Sequence, residues 1–134
     1  MTTTEHSNAG TVVIGVAVAA VIASVANVVV SLIARALGVP ADFAGLTPMV
    51  FIPFTIVGTA VGAVGWRLVR DRSAEPRRLM RKLVPIVVVA SFVPDVALLA
   101  IGVPLAGTIT LMVMHMIVAA TAVPVYLRVL PLSR

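Results

Sequence analysis

The sequence predicts an all-α membrane protein with four transmembrane helices, and three observations carry that prediction. Of the 134 residues, 60% are hydrophobic and only 11% charged, with a mean hydropathy of +1.15; an ordinary soluble domain is about half apolar and a quarter charged. Four apolar stretches are long enough to cross a bilayer, at residues 12–37, 48–69, 83–101 and 108–130. Two tails and three short connections remain, and none of them can bury a core of its own.

The tail 1–11 is polar and carries no Lys or Arg, and the apolar run behind it is too long for a cleavable leader, so the first span is expected to be retained. Within that span Gly15, Ala19, Ala23, Asn27 and Ser31 recur every four residues, with Ser24 beside them. Lipid is as apolar as leucine, so membrane helices associate by close backbone approach, and a face of small residues points at another helix. The same argument makes Gly58, Gly62 and Gly65, which follow Thr55 in the second span, the expected packing face there.

A basic loop, 70–82, leads to the third span, and a tail, 131–134, follows the fourth. The first span ends in Ala36-Leu37-Gly38-Val39-Pro40 and the third in Ala100-Ile101-Gly102-Val103-Pro104, 64 residues apart. Glycine past a helix end with proline behind it is a stop signal. Its recurrence, with Ala44-Gly45 and Ala106-Gly107 as a weaker echo, suggests two tandem helical hairpins related by an axis along the membrane normal. Convergent use of a good stop signal is the alternative. Pro53, Pro94 and Pro124 fall inside spans, where each frees a carbonyl one turn back.

Charge sets the orientation. Seven of the ten basic residues, Arg67, Arg70, Arg72, Arg77, Arg78, Arg81 and Lys82, lie around the second connection, with Arg128 and Arg134 near the C-terminus; only Arg35 falls on the other side. Basic residues in short loops stay cytoplasmic, which predicts cytoplasmic termini and a cytoplasmic loop 70–82. That placement explains the net charge of +5 without a nucleic-acid partner. The polybasic segment is read first as an orientation signal, with contact to anionic lipid headgroups as the alternative. The chain has no cysteine, which excludes disulfides, thiolate metal sites and cysteine catalysis.

An ionisable group in the bilayer interior is costly and marks a candidate site. Asp95 and His115 are such groups, lying roughly 9 and 10 Å from the outer ends of their spans at about 1.5 Å per residue. Ser31 and Thr55 fall at that level, Asn27 a turn deeper, and Arg35 near the outer end, where it either leans toward Asp95 or reaches the headgroups. The sequence therefore predicts one polar cluster of Asn27, Ser31, Arg35, Thr55, Asp95 and His115 in the outer half of the bundle, with Asp95 and His115 close enough to interact. Met112, His115 and Met116 are the residues on which a haem or metal reading would rest, but no second intramembrane histidine exists, so no cofactor and no metal is expected. No P-loop, dinucleotide glycine fingerprint, H-E-x-x-H or G-x-S-x-G occurs, which argues against an enzyme.

The Val93-Pro94-Asp95 step, Met114-His115, and Ala119, Ala120 and Pro124 beyond it, set in four short spans, resemble a family of small four-helix actinobacterial membrane proteins catalogued as a domain of unknown function. The resemblance covers nearly the whole chain. It implies a four-helix fold in a bacterial inner membrane, and no activity. The residues themselves leave three function classes open: a small transporter or channel-like protein for protons or a small solute, a non-catalytic accessory or structural subunit, and a lipid- or haem-binding protein. The lipid bilayer is the expected partner, and self-association is left open.

Overall fold

The computed structural model describes residues 8–132; residues 1–7 and 133–134, the outer parts of the two expected tails, lie outside the described residues. Five α-helices follow one another: α1 (Ala9–Ala36), α2 (Pro48–Arg72), α3 (Pro76–Ser91), α4 (Val93–Ala97) and α5 (Leu105–Val129). Short 3-10 turns occur at Ala44–Leu46 and Leu98–Ile101. The second turn continues α3 and α4 into one stretch, Pro76–Ile101, so four helical segments are long and apolar enough to cross a membrane. The chain is an all-helical, multi-pass membrane protein.

Local chemistry sets the helix ends. The Asn8 side chain accepts a hydrogen bond from the Gly10 N–H at 3.1 Å and so satisfies one orphan donor of α1. Prolines stand at the first turns of α2 and α3 and immediately before α5, where the missing N–H costs nothing. The two glycine stops are built alike. Gly38 and Gly102 take φ of 98° and 87°, a left-handed conformation that disfavours a side chain. The Gly38 N–H donates to Arg35 O and the Val39 N–H to Ala34 O, while Gly102 donates to Leu99 O and Val103 to Leu98 O, each bond displaced by the same 64 residues.

Beyond the stops the two hairpins diverge. Residues 37–47 separate α1 from α2, whereas only residues 102–104 separate the third span from α5. The echoing glycines have a shared cause in Phe43: a Cβ at Gly45 or Gly107 would stand 2.7 or 2.9 Å from its ring, so both sites must lack one for the ring to fit. The basic stretch 70–82 is also more helical than a loop. Only Ser73–Glu75 lies outside helices; the i,i+4 pair Arg67–Asp71 at 3.5 Å supports the last turn of α2 and the i,i+3 pair Glu75–Arg78 at 3.2 Å the first turn of α3, while Arg70 also meets Asp71 at 2.8 Å. Pro53 and Pro124 sit inside α2 and α5, as does Pro85 inside α3, but Pro94 ends one helix and starts the next.

Packing centres on α1. Ala19 and Ala23 are wholly buried, and a Cβ on Gly15 would stand 2.7 Å from a Val129 methyl, so α1 and α5 approach as closely as the small-residue face predicts. One apolar core, Ala63, Trp66, Met80, Ala122, Tyr126, Leu130 and Leu132, lies at the basic end. A second, Ala34, Val39, Leu46, Phe51 and Met114, lies at the opposite end. The third span is different: 6% of its most apolar window is buried, against 22–28% in the other three.

Candidate functional site

Pro94 creates the site. It interrupts the third span at Phe92 and sets Asp95 in the first turn of α4, where the carboxylate is buried. From α5, His115 presents Nδ1 to Asp95 Oδ2 at 3.0 Å and to the Leu111 carbonyl at 2.9 Å, one turn back. The Leu111 contact meets hydrogen-bond geometry, whereas Asp95 Oδ2 lacks an aligned donor. The Asp95 contact is therefore an electrostatic one at this ring angle. Phe92 packs edge-on to the imidazole with ring centroids 6.3 Å apart. The two partners differ in access: 8% of the Asp95 side chain is exposed, but 40% of His115.

This arrangement can hold one dissociable proton at no net charge. Either a carboxylate faces an imidazolium or a carboxylic acid faces a neutral imidazole, and both are cheaper in a low-dielectric setting than a lone ion. The buried member has no other polar partner among the described residues, and part of the imidazole lies at the surface of the bundle.

The remaining predicted residues gather elsewhere. The Asn27 amide donates to Thr55 Oγ1 at 3.3 Å, and the Ser31 hydroxyl donates to the Leu46 carbonyl at 2.7 Å. Arg35 donates to Ala41 O at 2.8 Å and Leu46 O at 3.2 Å. The expected lean of Arg35 toward Asp95 is thus replaced by a clamp on the α1–α2 connection. The physical reason is that carbonyls in an irregular connection have no helical donors, and a guanidinium fork can satisfy two at once. The single polar cluster expected from depth alone is in fact two: Asn27, Ser31, Arg35 and Thr55 tie α1 to α2 and its connection, while Asp95 and His115 tie the third span to α5.

The glycine face of α2 also needs correction. A Cβ on Gly62 would stand 2.9 Å from the Tyr126 hydroxyl, but Gly58 and Gly65 have nothing within 4 Å. The face of α2 that enters the bundle carries Phe51, Thr55, Thr59, Ala63 and Trp66 instead. Two aromatic side chains, Trp66 on that face and Tyr126 on α5, hold the contact through specific bonds. The Tyr126 hydroxyl donates to the Thr59 carbonyl and the Trp66 indole N–H to Leu130 O at 3.0 Å, with the two rings 5.6 Å apart. Sequence reading missed this pair, although the signal was there: each is the sole residue of its type in the chain.

Between α1 and α5 an apolar groove of about 220 Å³ is lined by Val30, Ile33, Leu37, Ile109 and Val113. Its one polar lining residue, Thr110, spends its hydroxyl on Ala106 O at 2.7 Å, so the groove offers shape and no chemistry. Among the described residues no group of three or more His, Cys, Asp or Glu side chains could hold a metal ion.

A family model described as a family of unknown function (DUF6069) matches residues 7–131, and so takes in both polar groups and all four spans. The chain belongs to that family. No curated protein and no solved structure matches it significantly. Membership in the family brings no activity with it.

Proposed function

We propose that this chain is a small proton-handling membrane protein, a transporter or channel-like protein for protons or a proton-coupled small solute, with Asp95 and His115 as its titrating centre. The observation that carries the reading is the 3.0 Å approach of a buried carboxylate to a half-exposed imidazole at the break of a loosely packed span. An intramembrane ionisable pair on a discontinuous helix is what proton relays use. In this reading the basic end faces the cytoplasm of a bacterium and the pair lies in the outer half of the bilayer.

The test is proton flux into vesicles carrying an internal pH dye, driven by a potassium diffusion potential. Wild-type protein should acidify or alkalinise the lumen faster than empty vesicles, and Asp95→Asn should abolish the difference while the protein remains folded by circular dichroism. A second reading is an accessory subunit without substrate, in which the pair only fastens the third span; the sparse burial of that span favours it. Wild-type flux no faster than that of empty vesicles, with Asp95→Asn affecting only thermal stability, would decide for the second reading.

A further inference from the structure

The basic end of the bundle carries more charge than its own carboxylates can balance. Cations from three helices converge there: Arg67, Arg70 and Arg72 at the end of α2, Arg77, Arg78, Arg81 and Lys82 at the start of α3, and Arg128 at the end of α5. The nearby acids, Asp71 and Glu75, are already engaged by Arg67, Arg70 and Arg78. Arg77 donates to the Leu132 carbonyl at 3.4 Å. That leaves Arg72, Arg81, Lys82 and Arg128, all exposed, with no ion pair among the described residues.

Two features turn this surplus into a surface for one kind of partner. The helix start is amphipathic and fixed: Pro76 and Met80 are buried, Met80 in the core with Trp66 and Tyr126, so Arg81 and Lys82 are held one turn above Arg77 and Arg78. The span these cations stand on is the one with 6% of its apolar window buried, and Ile86, Val87 and Val89 directly beyond them are exposed. In a single copy of the chain, lipid surrounds such a span on most sides. What lies within reach of Arg81 and Lys82 is therefore the headgroup layer of those same lipids.

We propose that Arg81 and Lys82, with Arg72 and Arg128 at the same end of the bundle, form a binding surface for the phosphodiester headgroups of anionic phospholipids. Cationic side chains at headgroup level attract anionic lipid, and two of them acting on one headgroup add their effects. This inference does not rest on proton transfer by Asp95 and His115, which lie toward the other end of the bundle.

The experiment is a thermal melt of the full chain in a neutral detergent, titrated with dioleoylphosphatidylglycerol or dioleoylphosphatidylcholine at low and high salt. The anionic lipid should stabilise the protein at a lower mole fraction than the zwitterionic one, and salt should reduce the difference. Arg81→Gln with Lys82→Gln should raise the mole fraction for half-maximal stabilisation by the anionic lipid about tenfold, with no change for the zwitterionic one. Equal responses of wild-type protein to the two lipids would overturn the proposal, whatever the double variant does. So would an equal response to glycerol phosphate or to polyglutamate at matched charge, which would assign the surface to a free phosphate or an acidic protein.

Discussion

Compare α1 with the third span. Their apolar windows have nearly the same mean hydropathy, 2.6 and 2.4, yet 22% of one and 6% of the other is buried. Hydropathy places both in the bilayer but does not pack them. α1 carries Gly15, Ala19 and Ala23 along one face, and that face meets α5 and α2 closely enough for dispersion contacts to accumulate. The middle of the third span offers Leu83, Val84 and Val88 as its inward residues, with no run of small ones, and stays half-open. It is fastened near its ends, by Pro76 and Met80 at one and by Asp95 at the other. Small residues make α1 the scaffold, and a polar pair makes the third span an attachment.

The sharpest way to break that contrast is to spoil the α1 face. Ala23→Leu inserts three carbons where the side chain is wholly buried and should cost about 3 kcal/mol, seen as a large drop in the melting temperature in detergent. Leucine at Val87, exposed on the third span, should change stability by less than about 0.5 kcal/mol in the same melt. Comparable losses from the two would end the distinction between scaffold and attachment.

The attachment itself is tested by a double-mutant cycle on Asp95→Asn and His115→Ala. Coupling of about 1 kcal/mol is expected, because removing either partner leaves the other without its electrostatic neighbour. Additive losses would mean that the pair does not fasten the span. A milder effect of similar kind is expected at Arg35→Gln, which loses two bonds to the α1–α2 connection; protease cleavage between Ala41 and Thr47 should speed up while the pair's coupling stays the same.

The smallest contrast lies within α2. Gly62→Leu should lower the melting temperature by displacing the Tyr126 hydroxyl from the Thr59 carbonyl, whereas Gly58→Leu points into open space and should be nearly neutral in a monomer. A Gly58→Leu loss as large as that of Gly62→Leu, together with a change in mass by light scattering, would assign the open glycine face to contact between copies.

Much of this was legible before folding was considered. Composition and run lengths determined four apolar helices, because a bilayer forbids unpaired backbone and demands a minimum length. Glycine and proline determined the two helix stops, because positive φ and a missing N–H act within one turn. The α1 face was readable for the same local reason, a period of four along one helix. Shared depth brought Asp95 and His115 together correctly, yet it wrongly enrolled Arg35, because depth fixes height along the membrane normal and says nothing of azimuth around the bundle. Only the tertiary structure decided azimuth: that Arg35 turns to the carbonyls of Ala41 and Leu46, that the face of α2 with Trp66, and not the one with Gly58 and Gly65, turns to Tyr126 of α5, and that the third span is scarcely covered. Those choices depend on which donors, rings and methyl groups of distant segments compete for the same space, and no periodicity within a single helix encodes them.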